Sequence, residues 1–432
     1  MRALMVSALV LLVCAAPAAA DITRLATVPG TIVDAAPDRV LYLERPTQRL
    51  MVQEVAGGAP TAVPLRPGGF ATANAKLIDG GVVYVARDGE ARLWLDWWRG
   101  DVLRTAGAFG HTPFSVAGDF LLWSSGSGLA RTRLSSGRTD YLTHNYRASG
   151  GNAVAANGDA VFATLDGALH WLRDGRISRI GRVGWTWASQ PVFDGTAVAF
   201  RRTAPCCESP SFIAYGDGPG EIIQDTFREG PAPQPGVDYM VNNGWIAFTR
   251  PADRTRPTSP LRVWTRDPQG RLDLVHPEAA RLQGISRTGQ VLYRVGSESQ
   301  LVARGERPFR LPHAVDRAFW ADGRWHLITG ATVSRLDVST ELVRGPDRVT
   351  PNAIALFELA SSVQGARYEC RLDDRPAAPC SADPRFDDLA FGTHTVTVTA
   401  IDPETGERDA TPATYTWVVT PPSVGPEEPC CT

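Results

Sequence analysis

The chain has 432 residues, too many for one ordinary core unless a repeat absorbs the length. Hydrophobic residues make up 43% and charged residues 21%, so there is a core to bury and the chain is not of the disordered class. The formal net charge of −2, with scattered arginines and the single lysine Lys76, excludes a general nucleic-acid binder.

The first twenty residues read as an export signal. Arg2 gives the positive start, Leu4 to Val13 a short apolar run, and Ala18-Ala19-Ala20 a cleavage site ahead of Asp21. The run is too short to span a bilayer. Val13, where a small residue is usual, argues against lipidation at Cys14. The expectation is a secreted or extracytoplasmic protein, cleaved near Ala20, with no transmembrane segment in the mature chain. Cleavage leaves a formal charge of about −3 and an even set of cysteines: Cys206, Cys207, Cys370, Cys380, Cys430 and Cys431. That suits an oxidising compartment.

Beyond residue 21 one pattern recurs: a turn with Gly, Asn or Asp, then a short apolar strand. Asp38-Arg39 leads into Val40-Leu41-Tyr42-Leu43, and Gly80-Gly81 into Val82-Val83-Tyr84-Val85. Gly118-Asp119 leads into Phe120-Leu121-Leu122-Trp123, and Gly158-Asp159 into Ala160-Val161-Phe162-Ala163. Later copies begin after Asp194-Gly195, Asn243-Gly244, Thr288-Gly289 and Asp322-Gly323. The mean spacing is about 41 residues, within the ~40–45 of a four-stranded propeller blade. Gly and Asn/Asp suit reversals that need positive φ. The apolar runs suit strands covered on both faces. No sustained helical period is present, and 33 Pro with 41 Gly would interrupt helices.

The repeat resembles WD40-like and TolB-like β-propellers. It implies about eight four-stranded blades over residues 21–345, with seven as the alternative. Ile22-Thr23-Arg24-Leu25-Ala26-Thr27 resembles an outer strand, so the N-terminus is expected to complete the last blade and close the ring.

From about Pro346 the character changes. Thr395 to Thr399 alternates Thr with Val, a half-buried strand, and Tyr415, Trp417 and Val419 give an aromatic inner face. The ordered motifs Tyr368-Glu369-Cys370-Arg371-Leu372-Asp373, Pro379-Cys380, Gly392-Thr393-His394 and Thr411-Pro412-Ala413-Thr414-Tyr415-Thr416-Trp417 resemble a bacterial immunoglobulin-like domain of secreted proteins. The resemblance covers roughly Val349 to Val419. It departs at Pro403-Glu404-Thr405-Gly406 and at Val396, where Phe is frequent. The fold class is therefore all-β: a β-propeller, an immunoglobulin-like β-sandwich over 346–420 and a Pro-rich tail, 421–432, ending in Cys430-Cys431. The sandwich is expected to act as a spacer or adhesion module, with a disulfide between Cys370 and Cys380. Cys206, Cys207, Cys430 and Cys431 either pair with one another or close locally; a reactive redox or metal site is the sharper alternative.

No H-E-x-x-H, metal-spaced His pair or G-x-S-x-G elbow occurs, and no catalytic residue, cofactor or metal is assigned. Gly216-Asp217-Gly218-Pro219-Gly220 lacks a following Lys and reads as a turn; Asp383, Asp387 and Asp388 read as solvated loop acids. Propellers bind ligands through loops that lead into the innermost strands. Those loops supply Arg66, Phe70, His111, His144, Tyr146, Arg147, Trp185, Trp187, Gln190, Asp238, Tyr239, Arg281 and Arg317, with Phe114, Glu278 and His313 beside them. Arg, His and aromatics there would stack on sugars and pair with carboxylates. The function expected is a non-enzymatic, monomeric binding protein for a protein, peptide or glycan. The alternative is a propeller polysaccharide hydrolase or lyase.

Overall fold

The computed structural model describes residues 20–422, apart from Pro46 and residues 109–113, 125–127, 147–150, 182–186, 204–210, 216–221, 226–238, 252–259 and 278–279. For 181, 187–190, 201–203, 211–215, 222–225, 250 and 251 only the backbone is considered. Cys206, Cys207, Cys430, Cys431 and the Gly216–Gly220 stretch lie outside the described residues.

The chain is all-β and forms two compact units. One comprises 22–305 and 313–336; the other holds Asp21, 306–312 and the chain from Asp337 onward. The division falls before Pro346 because Thr340–Arg344 pairs antiparallel with Glu358–Ser361, which draws that strand into the second unit.

In the larger unit, eight antiparallel sheets follow one another among the described residues. Their first strands are Gly30–Ala35, Phe70–Ile78, Ser115–Ala117, Asn152–Val154, Trp187–Phe193, Tyr239–Asn242, Arg281–Ile285 and Arg317–Ala321. Each first strand packs beside the first strand of the next sheet, the organisation of a β-propeller. The apolar runs that define the repeat become the second strands. Val40, Leu41, Tyr42, Val82, Val83, Tyr84 and the whole of Ala160–Ala163 are fully buried, because sheets cover them on both faces. Outer strands are wetter: Val102 and Ile177 are exposed.

Packing between sheets explains two glycines, one in a turn and one in a strand. Gly289 has φ +85°, which L side chains rarely adopt, and a Cβ there would run into the Trp245 indole. Gly284 lies under the Trp325 ring, whose Nε1–H donates to Gln290 Oε1 at 2.8 Å.

The last sheet is ordered Ile22–Thr27, Thr332–Leu336, Arg324–Thr329, Arg317–Ala321, so its outer strand comes from the start of the described chain. The register runs from Ile22 opposite Leu336 to Thr27 opposite Thr332, with a bulge between Arg24 and Ala26. Ile328 and Val333 of this sheet share a core with Ile32, Val40 and Tyr42 of the first.

The smaller unit contains one five-stranded sheet, ordered Val349–Thr350, Ala413–Val419, Gly392–Ile401, Arg367–Leu372, Ala378–Cys380, and two two-stranded sheets. In Gly392–Ile401 the buried positions are His394, Val396, Val398 and Ala400, as the Thr/Val alternation predicts, with Ile401 buried at the end. Val396, Val398 and Ala400 pack with Phe357, Leu359, Tyr368, Trp417 and Val419. Phe357 meets Phe386, Tyr415 and Trp417 edge-on at 6.0, 5.7 and 5.4 Å. Cys370 and Cys380 form the expected disulfide across the edge pair of strands.

Candidate functional site

Among the described residues, the predicted Arg66, His144 and Tyr146 lie in connections that lead from an outer strand into the next first strand, and Gln190 lies within the first strand Trp187–Phe193. Phe70, Trp187, Tyr239, Arg281 and Arg317 are each the first residue of a first strand. The polar groups of Arg66, Tyr146 and Arg317 are held by the fold itself. Arg66 donates Nε–H and Nη2–H to the two oxygens of Asp96 at 2.9 and 3.0 Å, and a further bond to Thr105 Oγ1. Tyr146 is buried; its hydroxyl accepts from Asn152 Nδ2 at 2.9 Å, and burial pushes its pKa up to about 12. Arg317 donates to the backbone carbonyls of Ile32 and Val33 at 2.9 and 3.3 Å, linking the last first strand to the first.

The remaining residues divide by exposure. Phe70 is 51% exposed, His144, Arg281 and His313 are exposed, and Tyr239 is half-buried against the core of its sheet. His111, Arg147, Trp185, Asp238 and Glu278 lie outside the described residues, and only the backbone of Trp187 and Gln190 is described.

The densest arrangement belongs to the second sheet. Asp96 is fully buried and also accepts Thr105 Oγ1–H at 2.7 Å, so its charge is compensated on each side. The bond to Asp96 raises the Arg66 pKa further above its ordinary value. Two guanidiniums approach the Trp94 ring, Arg66 at 4.5 Å and Arg92 at 5.8 Å from its centre. Its Nε1–H donates to Asp88 Oδ2 at 2.8 Å. Asp88 opens the hairpin Asp88-Gly89-Glu90-Ala91-Arg92 and accepts the Glu90 and Arg92 amides at 3.0 and 2.9 Å. The Trp94 indole, with these donors, holds the Asp88 carboxyl well below the usual carboxylate range. Phe70 faces Arg87 across the strand pair, with the guanidinium 5.9 Å from its ring.

Sequence reasoning missed Arg87, Asp88 and Trp94. The Asp88-to-Arg92 turn spacing was the available signal for the hairpin. The approach of Arg66 to Trp94 joins segments almost thirty residues apart and leaves no local trace. The arrangement offers an exposed aromatic face and cationic groups, suited to binding carboxylate-bearing or ring-containing ligands. Asp383 and Asp387 are engaged by Arg307 and Arg385. No group of three or more His, Cys, Asp or Glu is placed to hold a metal among the described residues.

No family model matches the chain. No curated protein matches it in sequence. Among solved structures it is similar to the Dos1 propeller, at 9% identity and TM-score 0.46, over 73% of this chain and 94% of that one. It is similar to BamB from Moraxella catarrhalis, at 10% identity and TM-score 0.42, over 73% and 99%. It is also similar to TolB from Acinetobacter baumannii, at 15% identity and TM-score 0.31, over 70% and 77%.

Proposed function

We propose that this chain is an extracytoplasmic, non-enzymatic recognition protein. Its ring of eight blades, closed by the N-terminal strand, binds an acidic peptide or glycan. Its immunoglobulin-like sandwich serves as a spacer. The observation that carries the reading is in the second sheet, where exposed Phe70 lies beside Arg87 and the guanidiniums of Arg66 and Arg92 both approach the Trp94 ring. An exposed aromatic ring next to guanidiniums recognises ligands by stacking and by charge. The disulfide and the leader-like first twenty residues support the compartment.

The test is an array of carboxylate-bearing peptides and acidic and neutral glycans, probed with the mature chain, run beside an assay for turnover of the same polysaccharides. Saturable binding of acidic ligands without turnover is the expected result. Turnover abolished by His144→Ala would establish a hydrolase or lyase instead.

A further inference from the structure

Asp21 is tightly held within the smaller unit. Its backbone N–H donates to Ser339 Oγ at 2.8 Å, and its carbonyl accepts the Asp337 amide at 2.9 Å. Its side-chain Oδ1 accepts Thr411 Oγ1–H at 2.7 Å, while the Thr411 amide donates to Asp409 Oδ1 at 2.8 Å. One threonine thus bridges two carboxylates. The second oxygen of each, Asp21 Oδ2 and Asp409 Oδ2, is buried and has no hydrogen-bond partner. Asp409 is only 4% exposed. Burial pushes its carboxyl upward; donors from Thr340 and Thr411 oppose this, and the Asp21 charge adds to the rise. A buried carboxylate beside a half-buried one, each with an idle buried acceptor, is costly unless a cation meets them.

We propose that this cation is the protein's own α-ammonium, created on Asp21 when residues 1–20 are removed. The inference rests on the export reading above and adds a structural role for leader removal. Hydrolysis of the Ala20–Asp21 peptide by an export-linked endopeptidase consumes one water. The water oxygen completes the Ala20 carboxylate, and its two hydrogens reach the Asp21 nitrogen. In the precursor that nitrogen has one hydrogen, already committed to Ser339. As an ammonium it has three, leaving two for the oxygens that lack donors. Charge-assisted bonds of this kind are stronger than neutral ones. Processing therefore tightens the smaller unit, and the precursor holds it more loosely.

The test compares two forms of the full mature chain, beginning at Asp21 with a free or an acetylated α-amino group. Hydrogen exchange is followed in the segments containing Ser339 and Thr411. The free amine is expected to give roughly tenfold greater protection at pH 7, with its own pKa about one unit above the ordinary ~8. A raised folded-state pKa means that this protection is full below about pH 8 and is lost as pH rises through the raised value. In Asp409→Asn the ratio between the two forms should fall towards one. Equal protection of the two wild-type forms, or an amine that titrates at its ordinary value, overturns the inference; this comparison decides the matter even if the variant fails to fold. N-terminal sequencing of the exported chain tests the export reading separately. A terminus other than Asp21 overturns that reading, whereas an Asp21 terminus with equal protection overturns only the role given to the ammonium.

Discussion

Arg66 and Asp96 form a two-pronged ion pair, 2.9 and 3.0 Å long, between the loop that leads into the second sheet and that sheet's third strand. The carboxylate is fully buried. Removing one partner of such a pair leaves an uncompensated charge inside, which costs about 3–5 kcal/mol. Arg66→Ala should therefore shift the denaturant midpoint of the larger unit strongly downward. Adding Asp96→Asn should recover a large part of the loss, because the stranded charge is gone. Equal loss in the single and double variants would show that Asp96 does not need its cation.

The smaller unit should lose stability as pH rises above the ordinary histidine range. His394 is buried, and both ring nitrogens face acceptors: Asp373 Oδ2 at 2.8 Å and the Ala390 carbonyl at 2.8 Å. Only the doubly protonated ring satisfies both. Burial and Arg375 pull its pKa down, but the Ala390 carbonyl and Asp373 carboxylate outweigh them, and the net shift is upward. The imidazolium's contribution is thus fully present below about pH 6.5 and is lost as pH passes the raised value. Following the His394 ring protons by NMR checks this; titration at or below the ordinary value would contradict it.

The strand Ile22–Thr27 should be indispensable to the larger unit. It covers the outer edge of Thr332–Leu336, and deleting it would leave that edge unpaired. A chain lacking residues 22–27 is expected to melt at a lower temperature and to self-associate. Unchanged melting would mean that the last sheet stands without it.

Reducing the Cys370–Cys380 disulfide should destabilise the smaller unit by roughly 2–3 kcal/mol through the freedom returned to its unfolded chain. Cys370→Ser with Cys380→Ser, unfolded in urea, measures this against the oxidised protein. A midpoint unchanged by the double substitution would assign no stabilising role to the bridge.

Much of the fold could be read from the chain because its signals are local. A turn glycine or aspartate followed by four apolar residues, as at Gly80 to Val85, encodes a reversal and a strand buried on both faces within one short window. The alternation around Val396 and Val398 did the same for the long strand of the smaller unit. The proposed binding region was less legible because partners converge from distant segments. Arg66 read as a surface binder, yet its guanidinium serves Asp96, thirty residues on. Tyr146 likewise turned inward to Asn152. In both cases residue type alone carries no sign of which way the side chain points. The unit boundary at Asp337 was hidden for a related reason: Thr340–Arg344 is strand-like in either unit, and only its pairing with Glu358–Ser361 assigns it.

The most direct measurement is the affinity of the mature chain for an acidic ligand found on the array, compared with that of Phe70→Ala and Arg87→Glu. Phe70 is exposed, and the Arg87 guanidinium lies 5.9 Å from its ring, so both changes act at the aromatic–guanidinium contact. Loss of a stacking face or reversal of a charge at a contact costs about 1–3 kcal/mol, a weakening of roughly fivefold to a hundredfold with the fold intact. Such weakening in both variants, with unchanged melting, is the predicted result. Affinity equal to wild type in both would place ligand recognition elsewhere on the molecule.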